Sequence, residues 1–226
     1  MLVNNWFTAK SIEELLQNNV DVINGKSKSP FHVIEPNECV LFPDTLPNIN
    51  TIIEINKRGF LTTDSQPSSY EVFFNKLPDD EEYCGFIEEN DNIDINEYIL
   101  DVEGEKLYKC LMNQKAYCSG FIHKYKFDLF RKNIGDNYNI YYYNYYTKEC
   151  VDGFENLTYY EYYNQIHYTT NFRNIKEFAK DELYFFTKYV NDEMLEKIKE
   201  EMIYIDVIEK DYNTGNNIYD DILKCL

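Results

Sequence analysis

Five consecutive residues, Thr62-Thr63-Asp64-Ser65-Gln66, put hydroxyl, carboxylate and carboxamide groups side by side. Such groups both donate and accept hydrogen bonds. At the end of a strand they would face a sheet edge, where small ligands often bind. The simpler reading is local: Asp, Ser and the following Pro67 are turn-formers whose side chains tie down their own backbone. Neither reading singles out a nucleophile or a base. The three histidines (His32, His123, His167) and six cysteines (Cys39, Cys84, Cys110, Cys118, Cys150, Cys225) show no zinc-ligand spacing and no C-x-x-C pair. No metal or cofactor is expected, and the thiols read as reduced, mostly buried apolar groups. The sequence has no Gly-rich phosphate loop, nucleophile elbow, H-E-x-x-H or kinase signature.

The polar run must be held by what flanks it. Asp44 or Thr45 caps a helix with Pro47 in its first turn and Ile49, Ile52 and Ile53 on its buried face, and Gly59 stops it. Phe60–Thr63 then reads as a strand, residues 64–69 as a turn, and Tyr70–Phe74 as the return strand. Upstream, Ser11 and Glu14 form a reciprocal cap for a helix carrying Ile12, Leu15, Leu16 and Ile23, with Gly25 as its stop and Trp6 packed over it. Lys26–Pro36 reads as a loop and Cys39–Phe42 as a short buried strand.

Downstream, Asp79–Glu82 is an acidic turn and Tyr83–Ile87 a possible strand. Residues 88–97 lack the glycine and terminal glutamate of a calcium loop. Leu107, Cys110 and Leu111 predict a helix over Glu103–Gln114, and alternation from Phe121 to Leu129 predicts a strand in which His123 is a satisfied, partly buried histidine. Eleven of the 22 tyrosines fall between Tyr138 and Tyr168. Tyr138–Thr147 reads as a strand, and Thr158–Gln165 as strand or short helix. A packed sheet explains this block most simply; a protein-interaction face is the alternative. A helical stripe runs over Arg173–Val190, Asp192 caps a second helix with Leu195 and Ile198, and Met202–Ile208 is a strand apolar on both faces and therefore central. Asn213–Asn216 is a turn before a closing helix with Ile218, Ile222 and Leu223. Helices and strands interleave without a βαβ repeat, so the expected class is α+β, a mixed or antiparallel sheet with helices packed against it. Residues 1–226 read as one domain, with a weak boundary near 88–96.

Twenty-two Lys and Arg against forty Asp and Glu give a net charge of −18. A phosphate backbone would be repelled, so no nucleic-acid partner is expected. A protein partner with a basic surface fits that charge, and mimicry of a polyanion is a third possibility. No apolar run approaches the ~20 residues a membrane helix needs. The N-terminus lacks a basic and then apolar leader, so a cytoplasmic protein is expected, in the host cell if the source is viral.

Trp6, Thr8-Ala9-x-Ser11-Ile12-x-Glu14 and Ile55-Asn56-x-Arg58-Gly59-Phe60-Leu61-Thr62-Thr63-Asp64-Ser65-Gln66-Pro67 resemble an uncharacterised family of small, mostly actinobacterial proteins. That family has a Trp-x-x-Ala-x-Ser/Thr start and a Leu-Asn-Arg-x-Gly-Phe-x-Thr-Thr-x-Ser-Gln-Pro-Gly motif. The likeness covers roughly residues 5–90 and departs at Ser68, where the family usually has glycine. It implies a shared domain and no activity. A fainter likeness, to the wybutosine-synthesis enzymes of tRNA modification, lacks their cysteine, glycine and arginine in the corresponding turn. The Asn-, Ile-, Tyr- and Lys-heavy composition resembles that of giant DNA viruses or protists.

The expectation is a non-catalytic, acidic protein-binding or accessory protein. The alternative is a small-molecule enzyme or ligand sensor using Thr62, Thr63, Asp64, Ser65 and Gln66.

Overall fold

The computed structural model describes residues 6–27, 46–66, 69–74, 98–100, 106–162, 165–211 and 217–226, with the strands between 66 and 114 and between 155 and 171 given by their backbone alone. The sequence expectations for 28–45, 75–97 and 212–216 lie outside these residues.

The class is α+β. Among the described residues every strand pairing is antiparallel. The helices are α1 (Ile12–Ile23), α2 (Ile49–Lys57), α3 (Lys124–Asn133), α4 (Ile175–Phe186), α5 (Asp192–Glu201) and α6 (Ile218–Cys225). The first sheet has the order β1 (Phe60–Gln66), β5 (Tyr117–His123), β10 (Met202–Glu209), β6 (Tyr138–Tyr143), β7 (Cys150–Val151). The second has the order β2 (Ser69–Phe74), β4 (Lys106–Gln114), β8 (Gly153–Tyr162), β9 (Gln165–Arg173), with β3 (Tyr98–Leu100) also on β4.

The first sheet is the middle layer between two cores. Because strand side chains alternate, Met202 and Tyr204 of β10 enter a core with Trp6, Leu15, Leu16, Ala179, Phe186 and Ile198. Ile203, Ile205 and Val207 enter the opposite one, with Ile52, Ile55, Phe130 and Ile222. Every residue of β10 is buried. An aliphatic side chain fully buried there contributes about 1.5–3 kcal/mol, which makes β10 the axis of the layer, as its apolar sequence implied.

Several elements follow local sequence logic. Ser11 Oγ accepts from the Glu14 amide at 3.2 Å, and the Glu14 carboxylate accepts from the Lys10 amide at 2.7 Å, one residue short of the reciprocal partner expected. Trp6 is fully buried, its ring 5.4 Å from that of Phe186, in the core that α1 lines. Gly59 ends the α2 turn at φ +92°, backbone that L side chains rarely adopt. The cap of α5 is Asn191, accepting from the Met194 amide at 2.9 Å, so Asp192 is the first helical residue and not the cap.

Other elements differ from expectation. The segment expected as a helix over Glu103–Gln114 contains strand β4, paired with β2 on one side and β3 on the other; a short apolar triplet suits either period, and two partners decide it. The run from Phe121 to Leu129 is not one strand. It crosses from β5 into α3, where Phe127 and Phe130 are buried while Tyr125 and Leu129 are exposed. β2 does not return beside β1 but joins the other sheet. Within Thr158–Gln165, residues 158–162 and Gln165 are strand, since β8 pairs with β9. In the tyrosine block, Tyr138, Tyr141, Tyr142, Tyr143 and Tyr145 are core residues and Tyr146 is exposed.

Candidate functional site

The run 62–66 is strand, not turn. β1 continues through Gln66 because β5 offers it a partner at each step: Asp64 opposes Ser119, Ser65 opposes Cys118 and Gln66 opposes Tyr117. Inter-strand pairing outweighs the turn preference of Asp and Ser. The register slips once, between Thr62 and Asp64, which leaves Thr63 as the extra residue of a β-bulge. A bulge re-aims the side chains that follow it. Here it puts Asp64 opposite Ser119 and so on the sheet face of Tyr117 and Asp206. Without it Thr63 would hold that place.

The five candidate residues therefore separate. Thr62 belongs to a buried polar lock. Its N–H donates to Asn56 Oδ1 at 3.1 Å, its Oγ1 accepts from Asn56 Nδ2 at 2.9 Å, and its carbonyl accepts from Asn19 Nδ2 at 3.3 Å. Asn19 Nδ2 also donates to Asn56 Oδ1 at 2.8 Å, and Asn56 Nδ2 to the Ile52 carbonyl at 2.9 Å. These bonds join α1, α2 and β1. Thr63 Oγ1 is buried without a hydrogen-bond partner. Asp64 is exposed and accepts from the Tyr117 hydroxyl at 3.0 Å. Ser65 is half-buried opposite Cys118. Gln66 is placed by its backbone, and its side chain lies outside the described residues.

Around Asp64 the structure gathers residues that sequence spacing does not connect. Asp64, Ser119, Asp206 and Tyr141 form one row across four strands by register. Ser119 Oγ donates to Asp206 Oδ1 at 2.8 Å, and Arg173, at the end of β9, places Nε 3.4 Å from Asp206 Oδ2. The pair is buried, Arg173 12% and Asp206 3% exposed at the side chain. The guanidinium also lies over the rings of Tyr117 and Phe178, at 5.5 and 5.6 Å. Removing one member of such a pair strands a buried charge, at a cost of about 3–5 kcal/mol.

Glu182 enters from α4. Burial, then the charges of Asp64 and Asp181, pushes its carboxyl up to about 7. Burial, then Asp64, raises the Tyr117 phenol well above its ordinary range, and burial with Asp206 and Glu182 does the same for Tyr204. Burial and Glu182 raise Tyr145. These phenols stay protonated; Tyr117 donates to Asp64, and Tyr145 donates to the Ala179 carbonyl at 2.5 Å.

Elsewhere, Cys118 is unpaired, and burial pushes its thiol up, which removes it as a nucleophile. Cys150 and Cys225 are also unpaired. His123 is buried at the end of β5; burial holds it below the usual imidazole range, and Nε2 lies 4.0 Å from Glu13 Oε1. Among the described residues no group of three or more His, Cys, Asp and Glu is arranged to hold a metal ion.

Of the residues on this face, Asp64 belongs to the polar run singled out by sequence, whereas Tyr117, Ser119, Arg173, Glu182 and Asp206 do not. The usable signal was polar residues inside strands otherwise apolar: Ser119 within Tyr117–His123 and Asp206 within Met202–Glu209. Nothing comparable marks Arg173 or Glu182, which reach the face from a second sheet and a helix. No family model matches the chain, and no curated protein matches it.

Proposed function

We propose that this chain is an acidic binding or accessory protein that recognises a cationic group on a protein partner, with Asp64 and Glu182 as the recognising carboxylates. One observation carries the reading. Asp206 has Arg173 beside it, whereas among the described residues neither Asp64 nor Glu182 has a cation within ion-pair distance. An ammonium or guanidinium group arriving there would relieve like-charge repulsion that the fold leaves standing. The net charge of −18 would steer such a partner toward the protein.

The test is calorimetric titration of an end-capped tri-lysine peptide at physiological ionic strength. Asp64→Asn is expected to weaken binding about tenfold, equivalent to about 1.4 kcal/mol. Asp128→Asn, the same charge change on the exposed side of α3, is expected to leave it nearly unchanged. Equal weakening by both variants would reduce the interaction to general charge attraction and sink the proposal.

A second reading, a small-molecule enzyme or ligand sensor, uses the same two residues. It is favoured by Glu182, whose carboxyl at about 7 is poised where a general acid or base works. Release of a converted product, instead of simple reversible binding, would select it.

A further inference from the structure

We propose that the outward ridge of α3 docks an acidic peptide segment that carries apolar side chains one helical turn apart. This surface is separate from the carboxylate face. Phe127 and Phe130 of α3 enter the core with Ile52, Ile203 and Ile222, whereas Tyr141, which shares its row with Asp64, belongs to the core on the other side of the first sheet.

In a chain of net charge −18, α3 carries Lys124, Lys126, Arg131 and Lys132 against one carboxylate, Asp128. Among the described helices it is the one with a net positive charge. Burial of Phe127 and Phe130 fixes which way it faces, and with about 3.6 residues per turn Tyr125, Leu129 and Lys132 then line its outward side. Tyr125 is 75% and Leu129 60% exposed. Cations edge this ridge on both flanks. On one, Lys124 Nζ lies 4.7 Å from the ring centroid of the exposed Tyr146, and Arg131 Nη1 donates to the Tyr142 hydroxyl at 3.3 Å. On the other, Lys126 Nζ donates to the Leu226 carbonyl at 3.1 Å. Among the described residues none of the four α3 cations has a carboxylate within ion-pair distance, whereas Lys197, Lys199 and Lys224 each pair along their own helix.

Charge and spacing together name the occupant. Tyr125 and Leu129 stand four residues apart, the spacing at which one helix presents apolar side chains to another, and the flanking cations match carboxylates on either side of such a stripe. Anionic membranes and nucleic acids also present negative charge, but as an extended array that would confront the acidic remainder of the molecule as well. Two exposed apolar side chains also bury too little to hold a bilayer, where even a myristoyl chain binds only marginally. A short peptide meets the ridge alone, and at about 0.15 M salt charges more than about 8 Å away are largely screened.

The test is calorimetric titration, at physiological ionic strength, of an end-capped peptide in which leucine recurs at every fourth position among glutamates. Leu129→Ser is expected to weaken its binding about tenfold. Lys132→Gln is expected to weaken it about threefold. Both residues are exposed, so both variants keep the fold. Lys180→Gln, the same charge change on the exposed side of α4, is expected to leave affinity unchanged. Equal weakening by Lys132→Gln and Lys180→Gln would reduce the interaction to general charge attraction and overturn the proposal, and so would failure of the peptide to bind. Attachment to phosphatidylserine vesicles or to a single-stranded oligonucleotide that Lys132→Gln abolishes, with no binding of the peptide, overturns it in favour of lipid or nucleic acid. Sedimentation showing self-association that Leu129→Ser dissolves overturns it in favour of a second copy of the chain.

Discussion

Glu182 shows how a residue with no sequence signature acquires a distinct property from its surroundings. Its position in α4 is ordinary helix sequence; burial and the proximity of Asp64 are tertiary facts. They carry a stability consequence with a definite sign. The folded chain holds the Glu182 proton up to about 7, whereas the unfolded chain releases it near 4.5. This contribution to stability is therefore full below about 4.5 and lost as pH rises through about 7. At about 1.36 kcal/mol per tenfold change in proton affinity, it amounts to no more than about 3 kcal/mol. Urea denaturation at about pH 5 and pH 8 should show wild type losing stability relative to Glu182→Gln over that interval. Parallel profiles for the two proteins would refute it. Asp64 was legible because five polar residues stand together, and Ser11 because its cap is local. The partners of Thr62 were not legible: its hydroxyl accepts from Asn56, and Asn19, which donates to its carbonyl, lies 43 positions away along the chain.

Elements were legible where one short-range pattern sufficed, as in α1, α2, α5, α6 and β10. They failed where a partner decided the matter. β4 is a strand because β2 and β3 flank it, β1 outruns its expected end because β5 supplies a ladder, and one alternating run hides the β5–α3 boundary. The β1–β5 ladder also depends on a close approach that sequence alone did not mark. Gly120 sits at φ +155°, and a Cβ there would lie 2.1 Å from the Leu61 carbonyl oxygen. Backbone, not a yielding side chain, blocks it. Gly120→Ala should cost about 3 kcal/mol or more and raise hydrogen exchange of the β1 amides. Gly25→Ala, strained at φ +69° but in open space, should cost about 1 kcal/mol. Equal losses for the two would show that the close approach to Leu61 does not matter.

At the scale of the whole molecule, composition fixed the charge but not where it is concentrated. Forty acidic against twenty-two basic residues repel one another in the compact state. Raising salt from about 0.01 to 0.15 M shortens the screening length from about 30 to about 8 Å. The denaturation midpoint should therefore rise, by roughly 1 kcal/mol in stability, while affinity for the tri-lysine peptide falls. Stability that drops with salt would mean that favourable ion pairs outweigh the repulsion. Among the described residues no helix is long and apolar enough to cross a membrane.

The bulge at Thr63 has a second effect, on how copies of the protein behave toward each other. Among the described residues β1 is an end strand in the order of its sheet, and an open strand edge is a template for another chain to add to, the first step toward fibrous aggregates. An irregular step in the ladder followed by an exposed carboxylate is a way of making that edge a poor template. The residues proposed to receive a partner thus also turn away the wrong one, so neutralising Asp64 removes a safeguard along with a ligand contact, and solutions of that variant call for a check of particle size before any affinity is read from them.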